Sequence, residues 1–235
     1  MRSPGCFALA LTAALAVPLG GVAEACILPG RAALLVLDAS YSMQKYVATT
    51  NTSRFEIARR AVAGMVELFP EDGYLALRFY GSRSDRMAQD CADTTLAVPF
   101  APAFENRDDI LLALTVTETN GLTPIARALE AAVRDFPRDN TTEKLIIVVS
   151  DGIESCNGDP CETAADLADL GFVVHTVGFV VNRATATQLR CIANATGGTY
   201  FDVPVAVELS DTLKEAFSAC PIAWREDQEI GHAFG

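Results

Sequence analysis

The stretch Ala-Leu-Leu-Val-Leu-Asp-Ala-Ser-Tyr-Ser-Met, residues 33–43, joins an apolar run directly to three oxygen-bearing side chains. The apolar run, residues 32–37, is typical of a strand that is buried on both faces of a parallel sheet. The carboxyl ends of such strands are where open α/β sheets bind their ligands. Asp38, Ser40 and Ser42 supply one carboxylate and two hydroxyls at this position, and hard oxygens of this kind suit Mg²⁺.

Two segments further along the chain add oxygen ligands at comparable places. Residues 120–124 read Asn-Gly-Leu-Thr-Pro and precede a predicted helix, so Thr123 lies on a loop at a helix start. Residues 145–152 read Leu-Ile-Ile-Val-Val-Ser-Asp-Gly, so a second apolar strand ends at Asp151. The simpler alternative is that Asp38 and Ser40 only cap the helix that follows them, as these residue types often do.

Taken together, this pattern resembles the metal-ion-dependent adhesion site (MIDAS) of von Willebrand factor A (VWA) domains, over roughly residues 31–219. The resemblance implies that Ser40, Ser42 and sometimes Thr123 contact the metal directly, and that Asp38 and Asp151 bind it directly or through water. Mg²⁺ is the expected ion, and Mn²⁺ would also fit oxygen ligands. The resemblance further implies a protein partner, because an acidic residue of the partner would complete the metal coordination.

Strands and helices alternate along the chain, which indicates a mainly parallel sheet with helices on both faces. We therefore predict a Rossmann-like, doubly wound α/β fold. One edge strand is expected to be antiparallel: residues 95–100 contain Pro99, which would break the ladder of a central strand. The other predicted strands are 32–37, 74–80, 144–150, 172–180 and 199–202, and the predicted helices are 54–68, 106–116, 124–136, 161–170, 184–195 and 205–219.

The first 25 residues have the pattern of a signal peptide: a short basic start, an apolar core and the small-x-small segment Ala-Glu-Ala. The apolar run is too short to span a membrane. We predict a secreted or periplasmic protein, and the Arg-rich, Lys-poor composition favours a bacterial source. A lipid anchor on Cys26 is the alternative. The predicted organisation is a signal peptide over 1–25, a VWA domain over 26–220 and a tail over 221–235.

Six cysteines remain after removal of the signal peptide, and an even number in an exported chain indicates disulfides. Cys156 and Cys161 flank a short turn-rich loop, so we predict that they pair. Cys26 and Cys220 lie just outside the two ends of the domain, and domain termini are often close together, so we predict a second pair there. Cys91 would then pair with Cys191. Six cysteines nevertheless allow fifteen pairings.

The net charge and the absence of certain motifs limit the classes of function that the sequence supports. The formal net charge of −12 disfavours nucleic acid as a partner. We predict no enzyme, since nucleotide-binding and hydrolase motifs are absent from the sequence. The enzymatic alternative is a metal-dependent hydrolase or phosphatase with Asp38 in its site, although such phosphatases usually carry a second aspartate where this chain has Ser40. A second alternative is a structural exported domain without a metal-dependent ligand.

Overall fold

A computed structural model of the chain describes residues 32–138 and 143–218. The strands are β1 (Ala32–Asp38), β2 (Tyr46–Val47), β3 (Thr52–Ser53), β4 (Tyr74–Tyr80), β5 (Thr94–Pro102), β6 (Lys144–Ser150), β7 (Phe172–Phe179) and β8 (Tyr200–Val203), and the helices are α1 (Arg54–Leu68), α2 (Ala103–Val116), α3 (Ile125–Ala132), α4 (Pro160–Asp169), α5 (Arg183–Ala195) and α6 (Leu209–Ser218). The central sheet has six strands in the order β5-β4-β1-β6-β7-β8. All neighbouring pairs in it are parallel except β4 and β5, which are antiparallel, so the predicted fold class is confirmed.

The core lies on both faces of this sheet. Every residue of β1 is buried, and its side chains alternate between two apolar layers. Leu35 and Leu37 pack into the layer beneath α1, α2 and α6, whereas Leu34 and Val36 pack into the layer beneath α3, α4 and α5. Burial on both faces explains why the strand is apolar along its whole length up to Asp38. The carboxyl ends of β1 and its neighbour β6 therefore meet at one open edge of the sheet.

Two local predictions need correction, and one small element was not predicted. The edge strand β5 is longer than predicted, and it accepts Pro99 and Pro102 because one side of an edge strand needs no ladder partner. In the polar segment after the first loop, β2 and β3 form a small antiparallel hairpin for which the sequence analysis made no prediction. Helix α3 ends at Ala132, four residues before the predicted end at Phe136. Phe136 instead packs between Phe100 and Phe172, with ring centroids 4.6 and 5.1 Å away.

The predicted signal peptide, Cys26, Cys220 and the predicted tail lie outside the described residues. Within the described ranges, no helix combines the length and the apolar character needed to cross a bilayer. His175 lies in β7 and is fully buried, and its Nδ1 accepts a hydrogen bond from the backbone N–H of Thr199 at 2.9 Å. It is a core residue that ties β7 to the start of β8.

Candidate metal centre

Asp38 is the last residue of β1 and is completely buried. One carboxylate oxygen, Oδ1, accepts a hydrogen bond from the backbone N–H of Ser40 at 2.8 Å. The other oxygen, Oδ2, accepts a hydrogen bond from the hydroxyl of Ser150, the last residue of β6, at 2.6 Å. These contacts orient the carboxylate across the ends of two adjacent strands.

The two serines of the same loop bring their hydroxyls together. Ser40 Oγ lies 3.0 Å from Ser42 Oγ. Ser42 Oγ in turn donates a hydrogen bond to Asp151 Oδ1 at 2.5 Å. Ser42 belongs to a short 3-10 helix, Tyr41–Gln44, whose tight turn directs this hydroxyl back toward the end of β6. Asp151 is thereby connected to the loop that follows β1, although the two residues are far apart in sequence.

The loop that carries Thr123 is held against the same edge by its backbone. Gly121 forms a parallel bridge with Ser40, and its carbonyl accepts a hydrogen bond from the N–H of Tyr41 at 3.0 Å. A Cβ atom placed on Gly152 would lie 3.3 Å from Thr123 Oγ1 and 3.4 Å from Ser42 Oγ. Both hydroxyls therefore face the same small space, and the residues of the predicted set lie together at one edge of the sheet: Asp38, Ser40, Ser42, Thr123 and Asp151.

The electrostatics of this cluster are those of a site with excess negative charge. Burial raises the pKa of Asp38 from its ordinary value of 3.8 to about 6, and the negative charge of Asp151 adds to this rise. Burial also raises the pKa of Tyr80, with the charge of Asp38 as the next contribution. Holding two carboxylates this close is costly unless a cation neutralises them.

The donor set fits a hard divalent cation. It consists of two carboxylates and three neutral hydroxyls, and oxygen ligands of this kind suit Mg²⁺ or Mn²⁺. Across the described part of the chain, no three His, Cys, Asp or Glu side chains come together as a metal cluster. A cation at this edge would therefore depend on the hydroxyls as well as on the carboxylates.

One residue that contacts the cluster was not identified by the sequence analysis. Arg54, the first residue of α1, forms a salt bridge through Nη1 with Asp151 Oδ2. The missed signal is the placement of a basic residue in the first turn of a helix, where it opposes the helix dipole. An unfavourable position of this kind indicates that the side chain has an acidic partner elsewhere.

The neighbouring loop carboxylates shape the loops around the cluster. Asp93 is buried and accepts hydrogen bonds from the backbone N–H groups of Arg83 and Ser84 at 2.8 and 2.9 Å. Glu154 likewise accepts hydrogen bonds from the N–H groups of Ala126 and Cys156 at 2.9 and 2.7 Å. These acidic side chains stabilise the loops around the cluster by accepting backbone hydrogen bonds.

The predicted disulfide pairs Cys156–Cys161 and Cys91–Cys191 are wrong. Cys91 pairs with Cys156, and Cys161 pairs with Cys191. The reason lies in α4, which begins at Pro160 and places Cys161 on a helix packed against α5, where Cys191 lies. Cys156 remains in the loop before α4 and meets the loop that follows β4. The predicted Cys26–Cys220 pair lies outside the described residues.

Peptide mapping of the non-reduced protein is expected to recover a Cys91–Cys156 crosslink and a Cys161–Cys191 crosslink. Replacing both Cys91 and Cys156 by serine is expected to cost about 2–4 kcal/mol of unfolding free energy, because a disulfide restricts the unfolded chain. Urea denaturation of this variant and of the wild type, both without reductant so that Cys161–Cys191 stays intact, measures this cost. A Cys156–Cys161 crosslink in the native protein would contradict the assigned pairing.

Comparison with known proteins agrees with the fold. The family model for the von Willebrand factor type A domain matches residues 34–215, so the chain belongs to the VWA family. The Bacillus subtilis (strain 168) protein YwmC is 31% identical over 176 residues, which is 74% of this chain and 76% of YwmC. VWA domains commonly act in adhesion or protein interaction and are generally not enzymes.

Two solved structures show the same fold. BatB from Bacteroides thetaiotaomicron superimposes with a TM-score of 0.65 at 20% identity, over 80% of this chain and 98% of BatB. The pilus adhesin SpaC from Lactobacillus rhamnosus GG superimposes with a TM-score of 0.66 at 16% identity, over 82% of this chain and 30% of SpaC. At these identities the likeness concerns the fold alone.

Proposed function

We propose that the chain is an exported VWA domain that binds a divalent cation, Mg²⁺, and uses it to contact an acidic group on a partner protein. The residues that would hold the ion are Asp38, Ser40, Ser42, Thr123 and Asp151. When bound, the ion offers a coordination position that a carboxylate of the partner completes. The observation that carries the proposal is the convergence of three side chains on Ser42, whose Oγ lies 3.0 Å from Ser40 Oγ and 2.5 Å from Asp151 Oδ1.

The charge balance of the site supports this function. Two carboxylates neutralise a divalent ion, and hydroxyls add no further negative charge, so the ion remains electrophilic toward a partner carboxylate. The raised pKa of Asp38 reflects burial and a nearby negative charge, which are the two costs that a bound cation offsets. Above pH 6 the Asp38 carboxylate is mostly ionised and ready to bind.

The disulfides and the N-terminal pattern support an exported location for the protein. Two disulfides join described cysteines, and such bonds persist in oxidising compartments. The predicted signal peptide provides a route to the periplasm or the exterior. We therefore propose that the protein works in the periplasm or outside the cell, with a lipid anchor on Cys26 as the alternative.

Titration calorimetry of the purified mature protein with Mg²⁺ at pH 7.5 tests metal binding. Ser42→Ala is expected to weaken Mg²⁺ binding by about tenfold or more, because it removes a hydroxyl ligand from a set that has few carboxylates. Ser218→Ala is the matched control, since Ser218 is exposed on α6, away from the site, and its hydroxyl donates a hydrogen bond to the carbonyl of Lys214 on the same helix. Mn²⁺ is titrated in the same way.

The partner chemistry is tested with acetate as a minimal carboxylate. Acetate is expected to shift the amide resonances of Ser42, Thr123 and Gly152 when Mg²⁺ is saturating, and to leave them unchanged when EDTA is present. The absence of any binding heat in the Mg²⁺ and Mn²⁺ titrations of the wild type would overturn the proposed metal site. Metal binding without a response to acetate would overturn only the acidic contact.

A further inference from the structure

Both oxygens of the Asp151 carboxylate already accept a hydrogen bond from the chain itself. Its Oδ1 accepts a hydrogen bond from Ser42 Oγ, and its Oδ2 accepts one from Arg54 Nη1. The Asp151 side chain is fully buried, and 17% of the Arg54 side chain is exposed. A guanidinium therefore sits at the edge of the site on the oxygen that a metal ion would also use.

Backbone contacts hold Arg54 beside the loop that carries the serines. The N–H of Lys45 donates to the carbonyl of Ser42 at 3.1 Å, and the N–H of Arg54 donates to the carbonyl of Lys45 at 2.9 Å. Ser53 caps α1 by accepting the N–H of Glu56 at 3.2 Å. Two successive hydrogen bonds thus connect the start of α1 to the loop of Ser42. They hold the backbone of Arg54 where its guanidinium can contact Asp151.

Glu56, the acidic residue in the first turn of α1, is engaged by other residues than Arg54. Glu56 is occupied by Arg59 and Arg60, whose guanidinium groups lie 2.6–2.8 Å from its carboxylate. Among the described residues, Nε of Arg54 is buried and has no hydrogen-bond acceptor. The guanidinium is therefore incompletely satisfied where it lies, and its partial exposure leaves it a path toward solvent.

We infer that Arg54 is an internal counter-cation that competes with the metal ion for Asp151. In the metal-free protein the guanidinium neutralises part of the negative charge of the site. Metal binding requires Arg54 to give up Oδ2, because two cations repel each other when they share one carboxylate. Arg54 thereby sets the metal affinity below that of the oxygen ligands alone. The inference rests on the proposed metal site and adds a residue that regulates it.

Mg²⁺ titration of Arg54→Gln tests the competition. Arg54→Gln is expected to bind Mg²⁺ about tenfold more tightly than the wild type, since the competing charge is gone. Arg60→Gln is the matched control, because it changes the net charge equally on the same helix but contacts Glu56 rather than Asp151. Its affinity should stay within about twofold of the wild-type value. Equal or weaker binding by Arg54→Gln would overturn the inference.

Thermal unfolding gives a readout that needs no partner. In EDTA, Arg54→Gln is expected to melt at a lower temperature than the wild type, because Asp151 loses its counter-charge beside Asp38. Mg²⁺ should then raise its melting temperature more than it raises that of the wild type. Arg54→Lys keeps the charge but loses the planar fork, so it should fold and bind Mg²⁺ about threefold more tightly than the wild type. Affinity for Arg54→Lys at or below the wild-type value would also contradict the competition.

The outcomes separate this inference from the proposed function. Mg²⁺ binding by the wild type and by Arg54→Gln with equal affinity would refute the role of Arg54 and leave the metal site standing. Binding by Arg54→Gln but not by the wild type would support the inference and contradict the function proposed for the natural chain. Absence of binding by every variant would refute both.

Discussion

Asp38→Asn is expected to abolish Mg²⁺ binding while making the metal-free protein more stable at neutral pH. Asparagine preserves the shape of the side chain and can still accept the N–H of Ser40, so the loop after β1 should keep its course. It removes the charge that is costly in this buried place. The same substitution therefore acts in opposite directions on metal affinity and on stability, which a simple packing defect would not do.

The sign of the stability change follows from the pKa of Asp38. The folded protein has a pKa of about 6 at this group, against an ordinary value of 3.8, so it holds this proton more firmly than the unfolded chain does. The contribution of Asp38 to the stability of the metal-free wild type is thus fully present below about pH 4. This contribution is lost as the pH rises to about 6. At pH 7.5 the accumulated loss is about 3 kcal/mol, and Asp38→Asn should recover up to that amount.

Urea denaturation in EDTA at pH 5 and pH 7.5 measures this effect. The advantage of Asp38→Asn over the wild type should be large at pH 7.5 and smaller at pH 5. Asp166→Asn is the control, because it makes the same charge change on the exposed surface of α4. With Mg²⁺ at about 100 times its Kd the wild type should gain about 2.7 kcal/mol, whereas Asp38→Asn should gain nothing. A variant that still binds Mg²⁺ with wild-type affinity would contradict a role for Asp38 in the site.

Gly81→Ala is expected to destabilise the protein by about 3 kcal/mol and to weaken Mg²⁺ binding. Gly81 follows β4 with a φ of 68°, in the left-handed region that costs other residues about 1–2 kcal/mol. A Cβ atom there would lie 2.4 Å from the carbonyl oxygen of Leu122 and 2.9 Å from Cα of Ser40. Since both neighbours are backbone, the loops themselves must separate, which adds the cost of overpacking. That separation would move Thr123 away from Ser42.

Gly171→Ala is the matched control for this prediction. Gly171 has a φ of 77°, but a Cβ atom there would meet nothing within 4 Å. The control should therefore show only the conformational cost, about 1 kcal/mol, with unchanged Mg²⁺ affinity. Urea denaturation and Mg²⁺ titration of both variants separate backbone conformation from loop crowding. Equal stability losses for the two variants would show that the close approach at Gly81 is not important.

The cluster of candidate ligands could be predicted because each of its residues lies in a local sequence pattern. Each carboxylate comes at the end of a short apolar run that is typical of a buried strand, and parallel strands end at the same edge of a sheet. Thr123 was predictable from its place before a helix that begins after proline. The edge position of β5 followed from a local rule as well, since proline is tolerated where one side of the strand is unpaired.

The disulfides and the Arg54 contact depended on which loops the sheet order brings together. Cysteines carry no local signal of their partner, so proximity in sequence wrongly suggested Cys156 with Cys161. The start of α4 instead separates these two, and the adjacent ends of β4, β1 and β6 bring Cys91 to Cys156. Arg54 reaches Asp151 for the same reason, since α1 starts beside the loop of Ser42. Local patterns thus determined which oxygens line the site, whereas the tertiary packing of distant loops decided which cation faces them and which cysteines hold them in place.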